Sequence, residues 1–367
     1  MSKMSKLRSA IATVSKSASA ASAVSAASAA SAASAASAAS FSADWLQQRE
    51  PFDAAARDAA AARLALQALQ ESLALQERRG SEAGSARPPL RVIDLACGTG
   101  ANLRWLAPRL GGAQQWLVAD HDAALLQRWP ACLGLPVSSS RGRLHYSGSG
   151  SDSDFRAKSR TESRAKSRSG LSAGVLTSFS ADIVRRRLDL AQDLESLPWH
   201  AAQLVTASAL LDLVSAAWLQ RLVAAAAAAR AAVLMALSVD GRQRFTPRDA
   251  DDAAVAALFE QHQQRDKGFG GPALGAAAGS ALVLALRRAG YCVSQTRSDW
   301  RLDGRHDAPA LALQRGLIDG MADAAVEQQP AAAATVRAWQ QRRLAWVLAG
   351  RSTLRVGHLD VLALPPR

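Results

Sequence analysis

The sequence predicts an α/β chain built on a doubly wound, mainly parallel sheet of seven strands, with helical additions at the N-terminus and before the last strand. Three observations carry this expectation. Leu90–Leu95 is a short apolar run that gives way to Gly98 and Gly100, the pattern of a strand buried on both faces that ends in a tight turn. Apolar runs and helix-period stretches then alternate to the end of the chain. Three of the strand regions carry an acidic residue at or near their end: Asp94, Asp120 and Asp189.

The elements follow in order. Residues 1–43 contain no acidic residue and repeat Ser-Ala-Ala between Ser25 and Ser40, so they read as a disordered Ser/Ala-rich tail, with a transit peptide as the alternative. Residues 44–80 set Leu46, Phe52, Leu64, Leu66, Leu69, Leu73 and Leu75 among helix formers, which predicts an N-terminal helical lid of one or two helices, with Pro51 opening the second. Gly80–Pro89 is a linker, and the main domain spans 90–366. Its strands are expected at Leu90–Leu95, Gln115–Ala119, Val184–Leu190, Gln203–Ala207, Ala232–Val239, Tyr291–Arg301 and Ser352–Leu364. Helices are expected over Asn102–Leu110, Asp122–Trp129, Val214–Ala229 and Ala273–Ala289, the last closed by Gly290. Two segments interrupt the domain. Residues 138–180 are rich in Ser, Gly, Lys and Arg, repeat Arg-Ala-Lys-Ser-Arg at 156–160 and 164–168, and predict a disordered insertion. Residues 308–348 predict a helical insertion broken near Pro330.

The formal charge of +13 first points to nucleic acid. Its distribution argues against that partner, because roughly +8 of it falls in residues 1–50 and 138–180. Three cysteines with no CxxC pair fit a reducing compartment and offer no zinc signature. The most apolar stretch, Leu222–Val239, is largely alanine and contains Arg230, which argues against a membrane span. A cytoplasmic protein with a small-molecule substrate is therefore expected.

The chemistry is concentrated in four motifs and one loop. In Val92-Ile-Asp-Leu-Ala-Cys-Gly-Thr-Gly100, a strand delivers Asp94 to a glycine turn that opens a helix. Ligands of open α/β sheets bind at such carboxyl ends, and glycines let backbone approach them closely. The third glycine of the dinucleotide fingerprint is absent, since Ala101, Asn102 and Leu103 follow. Trp116–Asp120 places a second acid at the end of the next strand, where two carboxylate oxygens can accept two hydroxyl hydrogens, or can cap the following helix. Asp122 is the stronger candidate for that cap. Asp189 ends the third strand region, and Leu204–Leu213 offers Thr206, Ser208 and Asp212 after the fourth. The string 260–275, with four glycines and dense polar groups, reads as a shaped loop in which His262, Asp266 and Lys267 face the substrate. His262 would be a general base, its imidazole titrating near working pH.

The Asp-Leu-Ala-Cys-Gly-Thr-Gly string closely resembles the first motif of class I S-adenosylmethionine (SAM)-dependent methyltransferases, whose fold is Rossmann-like. Together with Trp116–Asp122, Ser208–Val214 and Gly357-His358, it is similar to a subgroup of bacterial members over roughly residues 41–137 and 181–366. The resemblance implies methyl transfer from SAM. It implies that Asp94, Ala96, Gly98 and Gly100 line the methionine half of the cofactor, that Asp120 takes the ribose hydroxyls and that Asp189 receives the adenine amino group. It places Ser208 near the transferring methyl, beside the base His262. The acceptor is expected to be a small molecule. The alternatives are an RNA or protein methyltransferase that uses the basic insertion, and a SAM-binding protein without catalysis. No Asn-Pro-Pro-Tyr string follows the fourth strand, which argues against amide or exocyclic-amine acceptors.

Overall fold

The computed structural model describes residues 41–58, 66–74, 88–134, 143–150, 177–305 and 307–366. Most of the expected tail (residues 1–40) and the centre of the expected insertion (151–176) lie outside these residues.

Ten helices carry labels here. α1 (Ala43–Arg57) is followed by a helical segment at residues 66–74, then α2 (Ala101–Leu110), α3 (Ala123–Gln127), α4 (Trp129–Cys132) and α5 (Leu190–Asp193). α6 (Ala216–Ala229), α7 (Asp252–Gln263), α8 (Ala278–Arg288), α9 (Ala308–Gln328) and α10 (Ala333–Leu348) complete the set. The strands are β1 (Leu90–Leu95), β2 (Gly112–Asp120), β3 (Arg143–Gly150), β4 (Thr177–Arg187), β5 (Leu204–Ser208), β6 (Ala232–Thr246), β7 (Cys292–Arg297), β8 (Trp300–Asp303) and β9 (Thr353–Leu364).

These strands form one sheet in the order β3-β4-β2-β1-β5-β6-β9-β7, with β8 also paired to β9. β4, β2, β1, β5 and β6 are parallel, and β9 runs antiparallel between β6 and β7. The architecture is thus the Rossmann-like doubly wound sheet expected, with nine strands instead of seven. β3 and β8 are the additions. Parallel pairing aligns the carboxyl ends of β1, β2, β4 and β5 along one rim, and register sets Asp94 beside Val118 on one side and Thr206 on the other. One face of the sheet is covered by α6, α8 and the Leu188–Trp199 turns around Ile93, Val205 and Val233. The other face carries α2 and the 66–74 helix over Val92, Trp116, Val118 and Ile183.

A third core lies beyond the carboxyl edge. β6 and β9 run on past the rest of the sheet through two register shifts, and β8 joins their extension. α7, α9 and α10 pack there around Phe245, Trp300, Ile318 and Trp339. The expected helical insertion is present as α9 and α10, with the break at a 3₁₀ turn over Pro330–Ala332. Proline lacks the N–H that would continue the helix.

Three expectations need correction. Pro51 opens no second helix; it lies inside α1 at an exposed position, where water can satisfy the carbonyl its missing N–H leaves unbonded. The expected strand Tyr291–Arg301 is two strands on different halves of β9, because Ser298 bends out to donate its N–H to the His358 carbonyl and its Oγ–H to Asp360. The expected insertion 138–180 is not wholly irregular. Residues 143–150 form β3, antiparallel to a β4 that starts at Thr177, and Asp189 falls two residues beyond the end of β4. Period-two alternation explains the pairing: Leu144 and Tyr146 face Phe179, Ala181 and Ile183, and the Tyr146 ring meets Phe179 edge-on at 5.2 Å. The surrounding Ser, Gly and basic residues hide this alternation from composition.

Leu144 is 3 % exposed in β3. Leu144→Ala should lower unfolding free energy by about 2–5 kcal/mol in urea titration, as for a packed leucine. A loss below about 1 kcal/mol would mean that β3 does not pack against the core.

Candidate functional site

A cavity of about 430 Å³ opens on the carboxyl rim across β4, β2, β1 and β5. Its floor is the turn after β1. Gly98 has φ +52°, and a Cβ there would meet Leu46 of α1 at 3.0 Å, so the lid helix sits directly on the turn. Gly100 has φ +89°, and a Cβ would strike the Trp129 ring at 2.9 Å. Only glycine satisfies both demands. Trp129 also donates its indole N–H to the Gly98 carbonyl (2.8 Å), fixing the turn from the outside.

Asp120 holds the turn from the side. Its Oδ2 accepts the Gly98 N–H (2.8 Å) and its Oδ1 accepts the Asp122 N–H (2.9 Å). A carboxylate has about four lone-pair sites, so both oxygens keep acceptor capacity on the cavity wall. Burial pushes the Asp120 pKa up, and the two backbone N–H groups oppose that shift. Asp122, as expected, caps α3 by accepting from the Ala124 N–H (2.7 Å). Asp189 lines the cavity between Leu188 and Leu190 and caps α5 through the Ala191 N–H (2.9 Å).

The predicted residues divide. Ala96, Gly98, Asp120, Asp189 and Ser208 all line this cavity. Asp94 and Gly100 stand behind it. Asp94 is 0 % exposed; its Oδ1 accepts from Asn102 Nδ2 (2.8 Å), while its Oδ2 is buried without a partner. Burial raises its pKa to about 7, with the Asn102 hydrogen bond and Arg57 pulling it down. Thr206 is also buried and accepts from Asn102 Nδ2 (3.1 Å). Asn102, which the sequence did not single out, therefore presents the turn's supporting polar groups and itself lines the cavity.

His262 does not line the cavity. It belongs to the last turn of α7, not to a loop, and its ring is 2 % exposed with Nε2 3.3 Å from a Glu327 carboxylate oxygen on α9. Burial lowers its pKa. The polar stretch after it is the shaped loop, and there Asp266, Lys267, Gly268 and Phe269 do reach the cavity. Asp266 accepts from the Gly268 (2.8 Å) and Gly271 (3.0 Å) N–H groups, and Ser215 Oγ–H donates to the Phe269 carbonyl (2.8 Å).

Two charged residues were not anticipated. Arg49 and Asp53 on α1 line the cavity, and α1 carries Leu46, Arg49, Asp53 and Arg57 on one stripe, half-buried until it ends at the buried Arg57. Arg49 Nε donates to Asp53 Oδ2 (2.9 Å), and the Trp300 indole donates to Asp53 Oδ1 (2.9 Å). Of the expected lid at residues 44–80, α1 reaches the cavity; among the described residues, 308–348 support the third core and contribute no lining residue. Three of the four non-glycine residues in left-handed backbone among the described residues lie at this rim, Ala96 (φ +50°), Ala209 (φ +54°) and Leu237 (φ +55°), at the ends of β1 and β5 and within β6; the fourth, Arg230, ends α6. Such conformations cost about 1–3 kcal/mol each and gather at functional sites.

No family model matches the chain, and no curated protein matches it in sequence. In structure it is similar to an O-methyltransferase family protein from Burkholderia thailandensis, at 13 % identity and TM-score 0.32, covering 81 % of this chain and 59 % of that one. It is also similar to a cyclopropane-fatty-acyl-phospholipid synthase-like protein from Lactobacillus casei, at 13 % identity and TM-score 0.38, covering 87 % and 100 %. A geranyl diphosphate C-methyltransferase from Streptomyces coelicolor stands at 11 % identity and TM-score 0.34, covering 81 % and 76 %. At these identities and scores the functional reading rests on the cavity itself.

Asp94 supplies a pH test. A folded pKa raised to about 7 means the native state holds a proton that the unfolded chain has lost above about pH 4. This contribution to stability is complete below pH 4 and disappears as pH rises through 7. Asp94→Asn should flatten the fall of stability between pH 4 and 7 by up to one proton's worth of slope, measured by urea titration at several pH values. Parallel curves for the two proteins would place the Asp94 pKa near its ordinary value.

Proposed function

We propose that the protein is a class I SAM-dependent methyltransferase that acts on a small molecule. The observation that carries this reading is the joint placement of the Gly98 turn, Asp120 and Asp189 on the wall of one cavity, over the carboxyl ends of adjacent strands. The residues fit an adenosyl amino acid. The Asp120 carboxylate retains acceptor capacity on both oxygens for a pair of ribose hydroxyls. Leu188 and Leu190 offer apolar surface for a flat base, with Asp189 between them as acceptor for an exocyclic amine. Ala96 and Gly98 present backbone groups to the amino-acid half, with Asn102 and the buried Asp94 behind them. A volume of about 430 Å³ suits a ligand of this class.

When bound, SAM supplies an electrophilic sulfonium methyl group. The chain's own contribution is position and the exclusion of water. The Gly98 turn, locked by Asp120 and Trp129, fixes one half of the cofactor, and Asp189 fixes the other. Ser208, at the end of β5, and Phe269 stand on the side where an acceptor would approach. α1 covers the assembly through Leu46 and Arg49. His262 is turned into α7–α9 packing against Glu327, so this reading assigns it no proton-removing role.

Isothermal calorimetry should give heat with SAM or S-adenosylhomocysteine (SAH) and none with NAD. Asp120→Ala should weaken SAH binding about 10–100-fold, the loss expected for hydrogen bonds to a charged group. Preferential binding of NAD, or an Asp120→Ala variant with unchanged SAH affinity, would contradict the reading.

A further inference from the structure

The side of the cavity that the cofactor residues leave free carries a lysine that forms no ion pair among the described residues. Asp189 follows β4, Asp120 ends β2 and the Gly98 turn follows β1, so the adenosyl amino acid accounts for that stretch of rim. Ser208 ends β5, about 14 Å from β4 at ordinary strand spacing. The loop carrying Lys267 is fastened at this far end. The Leu274 N–H donates to the Val214 carbonyl (2.9 Å), the Ala273 N–H to the Gln264 carbonyl (3.1 Å), and Ser215 to the Phe269 carbonyl. Lys267 therefore stands on a tethered loop, and the Phe269 ring beside it is braced edge-on by Trp218 at 5.3 Å.

Lys267 is half-buried and lines the cavity, yet no ion pair holds it among the described residues. Its Nζ makes one hydrogen bond, donated to the His262 carbonyl at 3.3 Å, out of three that an ammonium can make. Three of the acids near it are committed elsewhere. Asp266 accepts from its own loop, Glu327 is taken by Arg265 and His262, and Asp53 by Arg49 and Trp300. Asp212 is buried with Oδ1 unpartnered and makes no ion pair with Lys267. Burial, followed by Arg265, lowers the Lys267 pKa, and the charges of Glu327 and Asp212 partly oppose that shift. Arg49 adds a guanidinium to the cavity lining, its Nε and one Nη turned to Asp53. Leu210, Leu213 and Phe269 make the remaining wall apolar.

From this arrangement we infer that the methyl acceptor is an organic acid with an apolar or aromatic skeleton, its carboxylate seated on Lys267. The inference rests on the methyltransferase reading for the word acceptor; the anion site itself does not. A half-buried ammonium that makes one hydrogen bond and no ion pair keeps donors free, and a ligand carboxylate both neutralises it and accepts them. Phe269, Leu210 and Leu213 would receive the skeleton.

The test compares matched acids and primary amides: benzoate with benzamide, phenylacetate with phenylacetamide, and cinnamate with cinnamamide. Binding to the full-length protein is measured by calorimetry, with and without saturating SAH. At least one acid should bind about tenfold or more tightly than its amide. Lys267→Met should abolish the preference and Lys267→Arg should retain it, with thermal midpoints showing that both variants fold. The inference is overturned if no acid binds, if acids and amides bind alike, or if Lys267→Met keeps the preference. It is also overturned if Lys267→Met weakens SAH and leaves the acids unaffected, since Lys267 would then serve the cofactor's own carboxylate. Acid binding without any SAH binding would instead strike the cofactor reading and leave the anion site standing.

Discussion

The guanidinium of Arg57 is the point on which the site depends. It is 2 % exposed, lies 3.7 Å over the Trp105 ring and donates to Asn102 Oδ1 (3.0 Å), with Nε 3.9 Å from an Asp360 carboxylate oxygen. Asn102 passes the connection on to Asp94 and Thr206, and Asp360 to the Leu237 N–H and to Ser298. One cation thus joins the lid helix α1 to β1, α2, β5, β6 and β9. Burial raises the pKa of Asp94 and of Asp360 and lowers that of Arg57, and Arg57 and the two acids partly offset these shifts in one another. Breaking such a buried arrangement by removing one partner costs on the order of 3–5 kcal/mol. An apolar substitute could supply packing, but not the joint between helix and rim.

That joint holds α1 against the glycine turn that floors the cavity. Leu46, Arg49, Asp53 and Arg57 descend α1 at helical spacing, from the glycine turn to the buried acids. Glu50, off this stripe, pairs with Arg104 of α2 at 2.5 Å, a second tie between lid and turn. The extension of β6, β8 and β9, with α7, α9 and α10, forms the bed beneath the lid: Trp300 meets Asp53, and Gly316 of α9 lies where a side chain would press on Trp45. His358, buried against Trp300 with its pKa pushed down to about 3 by burial, belongs to this bed and not to the chemistry.

The parts of this arrangement legible in the sequence are those whose partners are close along the chain. The glycine turn, its strand and its helix lie within twenty residues, and Asp120 sits at the end of the next strand, so local pattern sufficed to place them. Asp189 and Ser208 were found for the same reason. Arg49, Asp53 and Arg57 were not, because their meaning comes from contacts such as Asp53 with Trp300, 247 residues apart, and Arg57 with Asn102, 45 apart. The available signal was the charged stripe on one face of a helix rich in alanine, and reading Pro51 as a helix start obscured it. His262 was misassigned because polar composition does not separate the last turn of α7 from the loop that follows. Five residues later Lys267, in the same polar string, does reach the cavity. β3 was missed because its Leu144–Tyr146 alternation is too short to stand out from a Ser- and Arg-rich background.

The most direct measurement is a crystal structure of the protein grown with SAH. The account predicts SAH in the 430 Å³ cavity, its ribose hydroxyls on Asp120, its adenine beside Asp189 and its amino acid over the Gly98 turn beneath α1. Lys267 would stand free of it, facing the space next to the sulfur. SAH bound elsewhere, or seated with its adenine on the Lys267 side and its amino acid toward Asp189, would contradict the account.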